Sequence, residues 1–496
     1  MRNMNFLKCA NFCYLYLPVV LFFIFWLKPF IAIPLVVITL VLFLSLFKIQ
    51  NNKHFSSPLF WWILLITFIL IIYWCASAGL GGFASQSFDW QKHNVLLQDL
   101  INKPWPVHYR YNGQNGVLAY YIGFYIIPAL AGKLLGFNFA QDTMLIWATI
   151  GIALIVINLY YLYGHKRPLR LLTILFGLAS FGTFIYLIYG IFRAWAPLDT
   201  STLLSVLGEW FSNGLKVQYT SNTTQLVYVF TQMIPAGLCT VLFIKDHNPS
   251  WWGIICAPLI LYSTFTFIGI ICLAVLTLGY DIVIKLINKQ YHGILRLFRD
   301  VFSLRNILAA TIALGLIAYI GCNITQPKPA VASMMFTTTP WQTHFPAFVA
   351  IQVSWLIWFV ILLRREKTNP LLYASGIILF VLPFFRFGSA NDFCMRVSIP
   401  ALFVLNYLVI KNIIDGWHSD RFYALILTGM LIFTGMGPWA QLHSPIPNIV
   451  THTRSYNMPF HTGNAFFKAS PGGADIRYQY VDWHANRGLA KYIFKK

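Results

Sequence analysis

An aspartate, a lysine and a histidine share the polar stretch SFDWQKHN at 87–94, as Asp89, Lys92 and His93. A carboxylate placed beside a hydroxyl can take its proton, and cations nearby can hold an anionic leaving group. Aspartate and glutamate together number only 14 in 496 residues. Each carboxylate away from a helix end therefore has few rivals. Asp89 follows an apolar run and precedes the amphipathic pattern Val95, Leu96, Leu97 and Leu100. If a helix begins at Asp89, the acid and His93 share one face. A helix beginning there also makes Asp89 a natural N-cap. The capping and proton-accepting roles are compatible.

A second segment, RFGSANDFCMRVSIP at 386–400, sets Arg386, Asn391, Asp392 and Arg396 at the edge of an apolar run. Charges there are costly unless paired or functional. Arg396 and Asp392 fit a structural i,i+4 pair. Equally, Arg386 or Arg396 fits a phosphate, held bidentately. The first polar loop continues with Lys103, Trp105, His108, Tyr109 and Arg110. Aromatic residues collect at headgroup level, so the cations here are either lipid-phosphate ligands or plain interfacial anchors. Hydroxyls and amides crowd residues 216–225 around Asn222, which suits sugar recognition and N-capping alike. Thr337, Thr338, Thr339, Trp341 and His344 are further cavity candidates.

The elements that must position these groups are membrane helices. Hydrophobic residues make up 58% of the chain and charged residues 10%, with a mean hydropathy of +0.66. Soluble domains carry about 25% charged residues. Apolar runs near 13–28, 31–47, 58–79, 143–163, 170–193, 223–244, 251–265, 266–285, 305–322, 346–363, 370–385, 398–412 and 422–438 predict an all-α polytopic membrane protein of about 13 spans. Pro258 and the polar break at 262–266 divide the long run at 251–285. The run 117–137 is expected to be re-entrant or to lie along the membrane. Were it to span, the basic loop 165–170 and segment 286–305 would fall outside, against the charge rule.

This places the N-terminus in the cytoplasm and the C-terminus outside a cell inner (plasma) membrane. Residues 1–438 form the transmembrane module, with a first outer loop at 80–116 bearing interfacial helices and a second at 194–222. Residues 439–496 form a short extracytoplasmic tail able to cap a cavity. On the outer side the acids reduce to Asp89, Asp99, Asp142, Asp199, Glu209, Asp392, Asp475 and Asp482. Segment 286–305, with Arg296, Arg299 and Arg305, suits an amphipathic helix on an anionic leaflet.

The net charge of +21 sits in short loops, which the positive-inside bias explains without a nucleic-acid partner. The eight cysteines lack zinc spacing and suit apolar packing. No Walker loop, HExxH, GxSxG or nucleotide-binding domain is present, and no DxD occurs in the loops. Ionisable residues are nearly missing from the runs, with Asp281 near one end, which weakens coupled transport.

The layout resembles the GT-C superfamily of membrane glycosyltransferases. It shares many spans, an acid in the first outer loop, interfacial helices there and a modest outward tail. Three segments carry the likeness: 87–93, QYTSNTT at 218–224 and NDFCMRVSIP at 391–400. The resemblance implies a sugar moved from a polyprenyl-phosphate donor to a lipid, glycan or protein acceptor on the extracytoplasmic face, with inversion. It gives Asp89 the role of first-loop acid, a general base or a metal ligand. Lys92, His93, His108, Arg110, Asn222, Arg386, Asn391, Asp392 and Arg396 are then the substrate-binding candidates. The family's paired acids are absent, since Trp90 follows Asp89. No cofactor is required, and a divalent metal stays open. The alternative is a lipid-linked glycan translocase or another polytopic transporter.

Overall fold

Backbone carried through lipid finds no water, so its N–H and C=O groups must pair inside the protein, and apolar runs become helices. The computed structural model describes residues 3–46, 58–111, 114–164, 167–184, 209, 217–324, 332–334, 341–387, 391–458, 480–483 and 488–495. Among these, nine helices are long and apolar enough to cross a membrane, and five apolar helices are shorter. The architecture is that of an all-α membrane protein. All eight cysteines are free thiols.

Helix α1 (Asn3–Trp26) turns through Leu27 and Lys28 into α2 (Pro29–Leu44), and α3 (Pro58–Ser77) returns to the first polar loop. That loop contains α4 (Trp90–Asn102), the hairpin β1 (His108–Tyr111) and β2 (Gln114–Leu118), and α5 (Ile126–Leu135). The segment 117–137 is thus no single helix. At ten residues, α5 rises about 15 Å, half of a ~30 Å hydrocarbon core. Helix α6 (Phe137–Leu162) then descends, and α7 (Arg170–Ser180) returns part-way.

After the second loop come α8 (Asn222–Lys245), α9 (Trp252–Cys256), α10 (Leu259–Tyr262), α11 (Thr264–Ile287), α12 (Tyr291–Val301) and α13 (Leu304–Ile324). The expected break in the long run at 251–285 falls at Ser263, whose backbone is extended and whose hydroxyl accepts from Thr266 N at 3.3 Å. Strand β3 (Ala332–Met334) precedes α14 (Trp341–Glu366) and α15 (Pro370–Val381). Then follow β4 (Phe385–Phe387), α16 (Asp392–Val397), α17 (Ile399–Ser419), α18 (Arg421–Ala440), α19 (Ile446–Val450), β5 (Val481–Asp482) and α20 (Gly488–Ile493).

The bundle has two unlike ends. At one end the tail folds back on the first loop. Strand β5 pairs with β2 through Val117–Asp482 and Leu118–Val481. Lys28 N donates to Ile493 O at 2.9 Å, and Lys495 N donates to Trp26 O at 3.0 Å. Arg454 donates to Asp142 at 2.8 Å and to Gly81 O at 2.5 Å, with its guanidinium over the Phe83 ring. An amide chain fastens the same layer: Gln141 donates to Asn94, Asn94 to Gln86, and the Asn457 backbone N–H to Gln86. The tail is therefore a fitted part of this loop end.

Arginines and lysines gather at the opposite, basic end. Arg364 pairs with Asp420 at 2.7 Å, and Lys411 pairs with the buried Glu366 at 2.7 Å. Lys245 donates to Asn158 at 2.9 Å.

Gly82 shows how tightly the tail is seated. Its φ is +71°, a left-handed conformation that favours glycine, and an added Cβ would run into the Tyr456 ring. Its carbonyl accepts from Ser455 N at 2.8 Å. Gly82→Ala should lift the 454–457 segment from the loop and cost roughly 1–3 kcal/mol in backbone strain alone. A lower thermal midpoint in detergent than the parent's is the expected result; an unchanged midpoint would refute this seating.

Candidate active site

Helix α4 starts where the sequence predicts, and a buried tryptophan fixes it. Trp90 is fully buried, donates from Nε1 to Val227 O at 3.2 Å and stacks on Phe230 at 4.9 Å. Val95, Leu96, Leu97 and Leu100 are buried with it. Asp89 occupies the N-cap position, yet its side chain makes no capping hydrogen bond. Its ion partner is Lys92, at a loose 3.8 Å, and 40% of the Asp89 side chain is exposed. The carboxylate is thus held at a fixed place and left available.

The other acids of this end are engaged. Asp99 pairs with Lys103 at 3.1 Å and accepts from Tyr109 at 2.9 Å. Asp142 holds Arg454. The buried Glu209 accepts from Ser221 N at 2.6 Å. Asp392 pairs with Arg396 at 3.3 Å, and Asp482 is buried in β5. Asp199 and Asp475 lie outside the described residues.

His93 is on the Asp89 face, as i+4 spacing requires, but both of its ring nitrogens are occupied. Nε2 lies 3.1 Å from Tyr228 O. A carbonyl only accepts, so Nε2 carries the proton and Nδ1 accepts from the Tyr125 hydroxyl. His93 is therefore a neutral strut between α4, α5 and α8. Burial pushes its pKa down to about 4, with Lys92 and Arg396 acting in the same direction against the Tyr228 carbonyl and Asp89.

That balance also locates Arg396. Helix α16 packs on α11, with Phe393 against Phe265 at 5.7 Å, and brings Arg396 within electrostatic reach of His93. Only 11% of the Arg396 side chain is exposed. Its Nε has no hydrogen-bond partner among the described residues. Arg396, Asp392 and Asp89 all act on Tyr120, and Arg396 and Asp392 act on Tyr121 and Tyr480. Burial raises the pKa of each phenol, that of Tyr121 to about 12. Tyr480 comes from the tail and packs on Tyr120 at 4.2 Å. An acid and a buried guanidinium thus both lie within electrostatic reach of Tyr120 in the first loop.

Other sequence candidates fall elsewhere. His108 and Arg110 are exposed on one face of β1, opposite the buried Tyr109. Asn222 is buried and donates to Leu178 O at 3.0 Å, which ties α8 to α7. The cap of α8 is Ser221, which accepts from Thr224 N at 3.1 Å. Asn391 is the N-cap residue of α16, in a left-handed conformation at φ +51°. The side chains of Arg386, Trp341 and His344, and all of Thr337, Thr338 and Thr339, lie outside the described residues. Sequence reasoning missed Tyr120, Tyr121, Tyr125, Tyr228 and Tyr480. Tandem tyrosines inside the awkward run at 117–137 were the available signal.

Among the described residues no three histidine, cysteine or acidic side chains gather as a metal group. Among the described residues, Asp392, which acts with Asp89 on Tyr120, is matched to Arg396 and is poorly placed to hold a divalent ion. A cavity of about 410 Å³ lies at the basic end, lined by Phe243, Trp252, Asp281, Tyr407 and Lys411 among others. Lys411 there is neutralised by Glu366, and none of the sequence-selected site residues lines it.

No protein-family model, curated protein or solved structure matches this chain.

The His93 environment sets a pH dependence. Between about pH 6.5 and 4 the unfolded histidine is protonated and the folded one is not, so the unfolded state binds more protons. Stability from His93 is then full above pH 6.5 and falls as pH drops toward 4. His93→Gln should flatten this acid limb of the thermal midpoint against pH. An identical acid limb in parent and variant would contradict the neutral-strut assignment.

Proposed function

We propose that the protein is a membrane glycosyltransferase of GT-C type, moving a sugar from a polyprenyl-phosphate donor to a lipid, glycan or protein acceptor. One observation carries the reading. The Asp89 side chain is 40% exposed with only a loose ion partner, and the largely buried Arg396 guanidinium lies within electrostatic reach of the same residues, His93 and Tyr120. A group that accepts a proton and a group that receives a phosphate are the two parts such a transfer requires.

In this reading the nine long helices, together with α2, α7, Pro249–Tyr262 and Pro370–Phe384, make about thirteen passes, and α5 makes none. The charge rule sets the basic end in the cytoplasm. The loop end and C-terminus then face the outside of the inner (plasma) membrane, and the N-terminus faces inward.

The acceptor hydroxyl gives its proton to the Asp89 carboxylate as its oxygen attacks the anomeric carbon. The new C–O bond forms as the bond from that carbon to the phosphate oxygen breaks, and the electron pair leaves with the polyprenyl phosphate. Attack from the face opposite the leaving group inverts the configuration. The leaving phosphate gains negative charge, which the Arg396 guanidinium meets. Lys92, 28% exposed beside Asp89, adds positive charge at the mouth. His93 acts through position, fixing α4 against α8. The donor is already activated, so no nucleotide is consumed, and no step passes through a metal.

A positioned general base contributes about 10²–10⁴-fold to rate. In membranes carrying the protein, a polyprenyl-phosphate hexose should be consumed with release of polyprenyl phosphate, and Asp89→Asn should lower that rate by a factor in this range. Donor binding should survive Asp89→Asn and weaken in Arg396→Gln. Full turnover in a normally inserted Asp89→Asn variant would overturn the proposal. So would donor flipping across the bilayer, indifferent to the substitution, with no transfer.

A further inference from the structure

Helix α12 has three different faces. At about 100° per residue, Ile294, Leu297 and Val301 form one row, half-buried against the protein. Tyr291, Leu295, Phe298 and the C-cap residue Phe302 form a second row, and they are exposed, at 60%, 66%, 47% and 70%. His292, Arg296 and Arg299 form a third row about 100° further round, and all three are exposed. No residue of α12 is fully buried.

An apolar row left bare beside a basic row is costly in water and natural at a lipid interface. There the bare apolar row meets acyl chains while the basic row reaches headgroups. The surroundings add charge of the same sign. Lys285 and Lys289 precede the helix, and Arg305 follows it, stacked over Trp251 at 4.3 Å. The nearest acid, Asp300, touches Arg296 only at 4.0 Å, and Arg296 is 75% exposed. Its guanidinium is only loosely paired.

We infer that α12 is a docking surface for anionic phospholipid, with Arg296, Arg299 and His292 on the phosphate-bearing headgroups and Leu295, Phe298 and Phe302 among the acyl chains. Contacts just past its C-terminal end anchor the helix, through Arg305 over Trp251 and through Asn306, whose amide donates to Pro249 O at 2.8 Å and to Val301 O at 2.9 Å. The surface is therefore presented at a fixed height beside α11 and α13. This inference is independent of the glycosyl-transfer reading, because α12 lies at the basic end, away from Asp89 and Arg396.

The test uses the full-length protein in phosphatidylcholine bilayers, reading the association of spin-labelled phosphatidylglycerol relative to spin-labelled phosphatidylcholine. Phosphatidylglycerol should be favoured. The preference should drop about fivefold for each arginine removed in Arg296→Gln and in Arg296→Gln with Arg299→Gln. Asp300→Asn, which removes the local acid, should raise it. Millimolar inorganic phosphate should leave it unchanged. Equal association of the two lipids, a preference untouched in the double variant, or displacement of the lipid by inorganic phosphate would each overturn the inference. If the double variant fails to insert, the direction of the Asp300→Asn change decides alone.

Discussion

A chain inside lipid cannot leave backbone groups unpaired, and this constraint shapes the loop end of the molecule. Helices α8, α11 and α16 all begin inside the protein. Ser221 caps the first and Ser263 the second, each hydroxyl accepting from the backbone N–H three residues on. Asn391 opens the third in a left-handed turn. Because irregular backbone is tolerated at this depth only where protein surrounds it, the three starts crowd together. Thr264 and Arg396 there both act on Tyr121, and the first loop and the tail meet through Tyr120 and Tyr480.

The same crowding sorts the candidate residues by what each can still do. His93 is a partner of Tyr125 and Tyr228 on its two nitrogens and is left with no site for a substrate. Asn222 serves the junction of α8 with α7. Asp89 sits at a helix start without capping it. Arg396 is largely buried, and its Nε–H has no partner among the described residues. An isolated buried charge is expensive, and Asp392 offsets part of that cost. The guanidinium also lies within electrostatic reach of Tyr120, Tyr121 and Tyr480. In the proposed reading these two residues carry the chemistry.

Much of the fold was legible in the sequence because hydrophobic runs and basic loops report directly on lipid and on charge asymmetry. The break at Ser263, the amphipathic start at Trp90, and the failure of 117–137 to form one helix could all be read from local residues. The Arg396–Asp392 pair followed from i,i+4 spacing. The tyrosines could not be found that way. Tyr480 reaches Tyr120 only through the pairing of β5 with β2, a contact across more than 350 positions that no local pattern encodes. His108 and Arg110 suited phosphate by type, but the alternation of β1 turns both outward. Composition names the groups available; the pairing of distant segments decides which of them meet.

The account stands on Asp89 and Arg396 addressing one bound molecule. A structure of the protein in a lipid nanodisc with a non-transferable polyprenyl-phosphate sugar analogue tests this most directly. The account predicts the phosphate against Arg396 Nε, among Tyr120, Tyr121 and Tyr480, with the anomeric carbon turned toward Asp89. Phosphate density resting elsewhere, at the exposed face of β1 or in the cavity beside Lys411, would contradict it.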